Sequence, residues 1–299
     1  MTVFGFPQKH LTTRRRFLTA GACVVAGAAI YSGEIERHWI EISHRDIVIP
    51  GLHAAFDGFR VAQLSDIHLD EFTEPAFLED AVARINRLAP DIVLLTGDFV
   101  TMSPITKRIF KDAARQCGRI LSQLKCPLRY ACLGNHDILV GKKKVIAALT
   151  DGGITVVNNS YVPIARGGGR FWLAAVEDPL EGQPDPDAAI PASIRNLPNE
   201  PVILLCHGPD YADNLLAQPV GRAVALMLSG HTHGGQICLP LIGPLALPDM
   251  GKKYVQGWFR LGTMQLYVNR GIGTVGLPFR FDCPPEISVI TLRTAGSAA

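Results

Sequence analysis

Five short polar segments, each preceded by an apolar run, constrain this chain more than any other feature. They are Asp66-Ile67-His68, Gly97-Asp98, Gly134-Asn135-His136-Asp137, His207 and Gly230-His231-Thr232-His233. The runs before them, residues 58–65, 91–96, 128–133, 202–206 and 223–228, read as buried strands. In open α/β sheets, ligands bind beyond the carboxyl ends of the strands. A chain that repeatedly ends a strand on a carboxylate, an amide or an imidazole therefore gathers those groups in one pocket.

Helical patterns separate the first strands. Residues 75–88 carry Phe77, Leu78, Val82, Ile85 and Leu88 at helical spacing, with Pro75 suited to a first turn. Residues 105–124 repeat the pattern through Ile109, Phe110, Ala113, Cys117, Ile120 and Leu121, and 142–149 predict a short helix with Lys142, Lys143 and Lys144 on its solvated face. Strand–helix–strand–helix–strand implies parallel pairing with right-handed crossovers. The second half is richer in strands, predicted at 155–157, 171–176, 265–269 and 287–292 besides the two runs above, and residues 177–200 predict a surface loop with a short helix. Residues 34–50 alternate polar with apolar and predict one or two edge strands. The expected fold is a single α/β domain over 34–299, a four-layer α-β-β-α sandwich. Two packed mixed sheets are flanked by helices, with the polar segments in loops at one edge.

Composition narrows the function classes. A length of 299 residues suits one sizeable domain or at most two. A formal net charge of +2, with no basic or aromatic stripe, predicts no specific nucleic-acid partner. Seven cysteines cannot all pair, and Cys132 and Cys206 sit in apolar runs where a free thiol behaves as a small hydrophobe. A disulfide between two of the seven suits only an exported protein.

Residues 1–33 read as a targeting segment. Thr13-Arg14-Arg15-Arg16-Phe17-Leu18 matches the twin-arginine export pattern, and an uncharged stretch rich in Ala and Gly follows as far as Tyr31. That stretch is short for a spanning helix, which needs about 20 residues, and is the size of a signal-peptide core. Left uncleaved, it would anchor the chain to a membrane. The expected partner is the twin-arginine export machinery. The expected location is the periplasm or the outer face of the cytoplasmic membrane.

The polar segments point to metal chemistry. Mixed oxygen and nitrogen donors suit first-row divalent ions such as Mn, Fe or Zn, and the absence of thiolate donors argues against a structural zinc site. Asp66 and His68, two apart, share a side in an extended segment. A carboxylate such as Asp98 can bridge two ions. Two ions about 3.5–4 Å apart can share a water, lower its pKa and clamp a phosphoryl group for in-line displacement.

Asp-x-His, Gly-Asp, Gly-Asn-His-Asp, His and Gly-His-x-His, in that order over roughly residues 60–234, resemble the calcineurin-like metallophosphoesterase superfamily. The resemblance implies that Asp66, His68 and His233 hold one metal and Asn135, His207 and His231 a second, with Asp98 bridging. His136 would be the general acid and Asp137 would orient and polarise it. The implied activity is phosphoester hydrolysis by a metal-bridged hydroxide, with a phosphodiester as the first substrate class. One alternative is a pyrophosphate of the UDP-2,3-diacylglucosamine type used in lipid A synthesis, and a cell-wall phosphopolymer is another. A different class, a metal-dependent binding module without turnover, would be expected to lack His136 or the bridging carboxylate.

The tail adds to the resemblance. Gly234-Gly235-Gln236-Ile237, Asn269-Arg270-Gly271-Ile272-Gly273, Pro278-Phe279-Arg280 and Pro284-Pro285-Glu286-Ile287 are similar to bacterial members with twin-arginine signals or N-terminal anchors. Gly234 and Gly235 are expected to form a tight loop whose N–H groups approach an anion, and Arg280 either to meet a phosphate or to form a surface ion pair.

Overall fold

The computed structural model describes residues 9–69, 72–102, 112–195 and 197–296. Helix α1 (Lys9–Ile30) comes first, and its helical path continues through Tyr31–Ile35 and Glu36–His38. The stretch Thr13–His38 is long and apolar enough to cross a membrane, with a mean hydropathy of 1.4, and a signal sequence has the same properties. Ser32, Gly33 and Glu36 are buried. Ser32 accepts the Arg280 N–H through its carbonyl at 3.0 Å, and Glu36 Oε1 accepts the Cys283 N–H at 2.6 Å. Packing against the folded domain therefore begins a little before residue 34.

Then come β1 (Glu41–Val48), β2 (Phe59–Leu64), α2 (Pro75–Leu88), β3 (Ile92–Thr96), α3 (Ala113–Leu121), β4 (Arg129–Cys132), α4 (Asn135–Asp151) and β5 (Thr155–Val156). The second half holds β6 (Ser160–Arg166), β7 (Gly169–Ala175), α5 (Pro186–Ala189), β8 (Val202–Leu205), α6 (Tyr211–Leu216), β9 (Val224–Ser229), β10 (Cys238–Leu239), β11 (Gly243–Pro244), β12 (Gly257–Leu261), β13 (Met264–Val268) and β14 (Glu286–Arg293). Residues 105–111 of the predicted second helix lie outside the described residues, and the remainder forms α3. The helix expected at 142–149 is longer and starts on the polar segment itself, with a kink at Gly141.

Two six-stranded sheets result, ordered β1-β14-β2-β3-β4-β5 and β12-β13-β9-β8-β7-β6. Strands β2 to β5 pair in parallel, as do β7, β8, β9 and β13. The C-terminal β14 crosses into the first sheet, parallel to β1 and antiparallel to β2.

Alternation along the central strands produces the four layers. In β3, Val93 and Leu95 pack under α2 and α3 with Leu78, Val82, Ile85, Cys117 and Leu121, whereas Ile92 and Leu94 join the core between the sheets. In β8, Ile203 and Leu205 enter that central core, and Val202 and Leu204 pack against α5 and α6 through Ala189, Tyr211 and Leu215. Strands covered on both faces need apolar residues at every position. The expected α-β-β-α sandwich is the observed one.

Candidate metal centre

Every polar segment leaves the carboxyl end of a parallel strand. Asp66 and His68 follow β2, Asp98 follows β3, Asn135 opens α4 just after β4, His207 follows β8, and His231 and His233 follow β9. The first sheet supplies four of these residues and the second sheet three, so the site straddles both sheets at one edge.

The backbone turns sharply to present them. Asp66, His68, Asp98, His231 and His233 all have positive φ, between 47° and 74°. Non-glycine residues rarely adopt that region, and holding one there costs of order 1–3 kcal/mol. Backbone bonds hold the loops: the N–H of Asp66 donates to Gly97 O and that of His68 to Asp98 O, both at 3.0 Å. Two glycines permit the close approach. A Cβ on Gly97, at φ 95°, would lie 2.5 Å from Gly134 N and 2.8 Å from His207 Nδ1. A Cβ on Gly230 would collide with Ser65 Oγ and with Asp66 Oδ2.

The side chains form two connected groups. In one, donor atoms of Asp66, His68 and His233 lie within 4.8 Å of one another, in the other those of Asp98, His207 and His231 do, and a third set of His68, Asp98 and His136 meets the same limit and joins them. His68 Nε2 is 3.0 Å from His233 Nε2, and Asp66 Oδ1 is 3.4 Å from the latter. Asp98 Oδ2 stands between the groups, 3.5 Å from His68 Nε2 and 3.1 Å from His207 Nε2.

The outward ring nitrogens are held by partners. His207 Nδ1 meets Thr96 O at 2.6 Å, His231 Nε2 meets Asp249 O at 2.8 Å, His233 Nδ1 meets Gly273 O at 3.3 Å, and His68 Nδ1 meets Thr101 Oγ1. A ring that donates to a carbonyl on one side keeps a lone pair on the other, which is how histidines are oriented toward metals. Asn135 Oδ1 is buried without any hydrogen-bond partner, and His207 Nε2 has only the Asp98 carboxylate beside it, at 3.1 Å. A buried polar atom left unmet costs about 1–3 kcal/mol, so such atoms need an explanation. A divalent cation supplies one, and carboxylate, amide and imidazole donors fit it.

Electrostatics agree. Burial lowers His68 to about 3 and His231 to about 4, with neighbouring imidazoles adding to it and Asp98 opposing. Burial, His68 and Arg280 hold His233 well below its usual range. Neutral imidazole is the form that binds metal. Burial also acts against charge on His207, yet Asp98 and Asp66 carry it well above the usual range. Burial likewise opposes ionisation of Asp98, but His207 and His136 hold its carboxyl well below the usual carboxylate range. Burial pushes Asp66 up to about 6 against the pull of His207. A cation held beside these carboxylates would supply positive charge in place of the His207 proton.

A family profile described as calcineurin-like phosphoesterase matches residues 59–235, which holds all of these donors. The chain belongs to that family. It is 35% identical to the uncharacterized metallophosphoesterase YkuE of Bacillus subtilis, over 94% of this chain and 98% of the relative. It is 34% identical to the phosphodiesterase YaeI of Escherichia coli, over 94% and 100%. It is 26% identical to the UDP-2,3-diacylglucosamine pyrophosphatase LpxG of Chlamydia muridarum, over 87% and 92%. Members of this family use divalent metals, and the clustered Asp and His donors suit that use.

Three expectations from the sequence need correction. Asp137 does not orient His136. Its Oδ2 accepts the N–H groups of Asp98 and Gly134 at 2.8 and 3.0 Å, and its Oδ1 accepts those of Phe99 and Val100 at 2.9 and 3.3 Å. It ties the Asp98 loop to the start of α4. Arg280 does not reach the cleft. It is fully buried, and its guanidinium donates to the carbonyls of Arg270, Gly271, Gly273 and Cys283. Gly234 and Gly235 form the expected tight loop beside the site, but their N–H groups already bond Thr232 Oγ1 and Thr232 O. All seven cysteines are free, six of them buried, in keeping with the reading of Cys132 and Cys206.

Sequence reasoning missed the orienting groups Thr96, Thr101, Asp249 and Gly273. Only Thr101 acts through its side chain, and it lies three residues after Asp98, where a sequence signal exists. Thr96, Asp249 and Gly273 act through backbone carbonyls and leave no residue-type signature.

Proposed function

We propose that this chain is a two-metal phosphodiesterase. Asp66, His68 and His233 hold one first-row divalent cation (Mn, Fe or Zn), Asn135, His207 and His231 hold the second, and Asp98 bridges them. The observation that carries this reading is the position of Asp98 Oδ2, within 3.5 Å of a ring nitrogen from each group. Two such cations, when bound, lower the pKa of a water and neutralise charge on a phosphoryl group. The choice of a diester is supported by the likeness to YaeI. The likeness to LpxG supports a glycolipid pyrophosphate as the second reading.

The protein side chains supply position and a proton. A cleft of about 650 Å³ opens over the site, and His68, Asp98, Asn135, His136, His231 and His233 are among the residues that line it. The backbone N–H of His136 donates to Asp98 Oδ1 at 2.9 Å, and the ring packs edge-on against His68 with centroids 4.9 Å apart. That fixes His136 beside the Asp98 carboxylate on the lining of the cleft, a suitable place to give a proton to a leaving alkoxide. His136→Ala is therefore expected to retain both cations while turnover falls about a hundredfold, within the usual range for a positioned acid. Metal analysis beside kinetics checks this, and a drop in metal content would make His136 a ligand instead.

The direct test uses the full chain in detergent. We expect close to two cations per chain after reconstitution, and hydrolysis of bis-p-nitrophenyl phosphate that disappears in Asp66→Asn. Bound cations without turnover of any diester or pyrophosphate would favour a binding module, and failure to bind cations would end the proposal.

The N-terminal helix is consistent with a signal or an anchor. We propose export by the twin-arginine machinery to the outer face of the cytoplasmic membrane, on the motif Thr13-Arg14-Arg15-Arg16-Phe17-Leu18. Replacing Arg14 and Arg15 by Lys is expected to leave the protein inside the cell on fractionation. Unchanged export would count against that route.

A further inference from the structure

Besides the metal donors and the polar Glu181, Gln236 and Asp249, the cleft carries a group of apolar side chains. Leu180, Ile237, Leu245, Leu247, Val275 and Leu277 line it. Three of these residues belong to one segment, 237–248, which reads Ile-Cys-Leu-Pro-Leu-Ile-Gly-Pro-Leu-Ala-Leu-Pro and has no charged or hydrogen-bonding side chain apart from a thiol. It folds as the β10–β11 hairpin, paired through Cys238 with Pro244 and Leu239 with Gly243. Its tip stands in solvent: Leu241 is fully exposed, Ile242 is 74% exposed and Leu245 is 57% exposed. Single exposed leucines are ordinary, but a contiguous apolar projection marks a surface that something covers.

The hairpin shares its base with the N-terminal helix. Ile237 bridges Phe281 in parallel, with Cys238 N donating to Phe281 O at 2.8 Å and Phe281 N to Gln236 O at 3.0 Å. The same short segment receives the end of the helix. Tyr31 packs edge-on against Phe281 at 6.3 Å, Gly33 lies against the Phe279 ring, and Arg280 N donates to Ser32 O. The two exposed apolar elements thus leave the molecule from neighbouring points. Half of a twelve-residue hairpin spans roughly 20 Å when extended. A bilayer that receives the helix as far as Ile30 lies within reach of the hairpin tip, and no second covering partner needs to be found.

We propose that the 237–248 hairpin inserts its tip, Leu241 and Ile242, into the boundary zone of a lipid bilayer. The cleft then opens toward the membrane, and the molecule it takes is the phosphoester head of an amphiphile whose apolar portion lies along Leu245, Leu247, Val275 and Leu277. The substrate part of this inference rests on the phosphoesterase reading above, whereas the bilayer contact does not. Interfacial insertion of this kind depends on apolar area and needs no specific headgroup contact.

The bilayer contact is tested on the full chain reconstituted into phosphatidylcholine vesicles. A tryptophan placed by Leu241→Trp, with Ile242→Trp as a second variant, is measured as a difference from the unaltered chain. We expect its fluorescence to be quenched by brominated acyl chains and protected from acrylamide. Acrylamide quenching with no response to bromolipid would overturn the insertion. Protection that tracks protein concentration without lipid would overturn it too, in favour of a second copy of this chain. The amphiphile is tested separately, by inhibition of bis-p-nitrophenyl phosphate hydrolysis with dodecyl phosphate below its micelle concentration against methyl phosphate. At least tenfold tighter inhibition by dodecyl phosphate is expected, and equal inhibition would remove the amphiphile. Absence of any turnover in the unaltered chain would refute the phosphoesterase reading on its own, while the quenching result would still decide the fate of the hairpin.

Discussion

Asp98→Asn is expected to release both cations and to lower turnover by more than about a thousandfold. One carboxylate stands between the two donor groups, with its Oδ2 within 3.5 Å of His68 Nε2 and within 3.1 Å of His207 Nε2. An amide offers one neutral oxygen, and its NH₂ points a donor at the place where a cation belongs. Losing an outer-shell partner of a ligand costs 10–100-fold in metal affinity or activity. Losing a shared ligand must exceed that. Metal content and kinetics on one preparation decide the matter: a variant that keeps one tight cation per chain would show that Asp98 serves a single ion.

Asp137→Ala is expected to produce the largest loss of stability among the site residues, about 4 kcal/mol or more. The carboxylate accepts four backbone N–H groups, and each buried donor left without a partner costs about 1–3 kcal/mol. The residue also closes the start of α4 in the manner of a capping box, three positions after Gly134. In thermal terms this is a fall of roughly 10 °C. Burial and the Asp98 charge push the Asp137 carboxyl up to about 8, against the pull of its backbone donors, and a cation on Asp98 removes the second of those causes. Melting curves taken with and without cation check the result. A variant with unchanged stability but reduced turnover would return Asp137 to the role of polarising His136.

Much of this molecule is legible from local pattern. Helix α2 begins at Pro75 and ends at Leu88 as its spacing predicts, because Pro fits a first turn and Ala89 leaves the helix in a left-handed conformation. The donors are legible because strands with both faces buried stand out, and whatever ends them marks the site. Pairing between distant segments is not. The strand at 287–292 is visible as a strand, but nothing in its own residues says that it lies between β1 and β2. The exposed edge strand β6 and the short β10, β11 and β12 lack the apolar runs that announced their neighbours. Asp137 was misread for a related reason. The family resemblance implies a side-chain pair with His136, whereas the partners of Asp137 are backbone groups, most of them from a loop nearly forty residues earlier in the chain, which leave no mark on residue identity. Arg280 is the same case, a cation consumed by carbonyls.

The division of donors between the sheets has a consequence for how the sandwich comes apart. Asp66, His68, Asp98 and Asn135 belong to one sheet and His207, His231 and His233 to the other, and besides the central apolar core the two are joined at this edge by hydrogen bonds such as Gln63 Nε2 to Ser229 O at 2.9 Å, His231 N to Asp66 Oδ2 at 2.9 Å and the 2.6 Å contact of His207 Nδ1 with Thr96 O. On the proposed two-metal reading, ions at that edge would act as rivets through both sheets. A loaded molecule should then melt in one calorimetric transition, because neither sheet can loosen without releasing the ions, and the free energy of ion binding adds to that of folding. Withdrawing the ions should let the edge open first and broaden the transition, so that the chemistry of the centre and the cohesion of the fold rise and fall together.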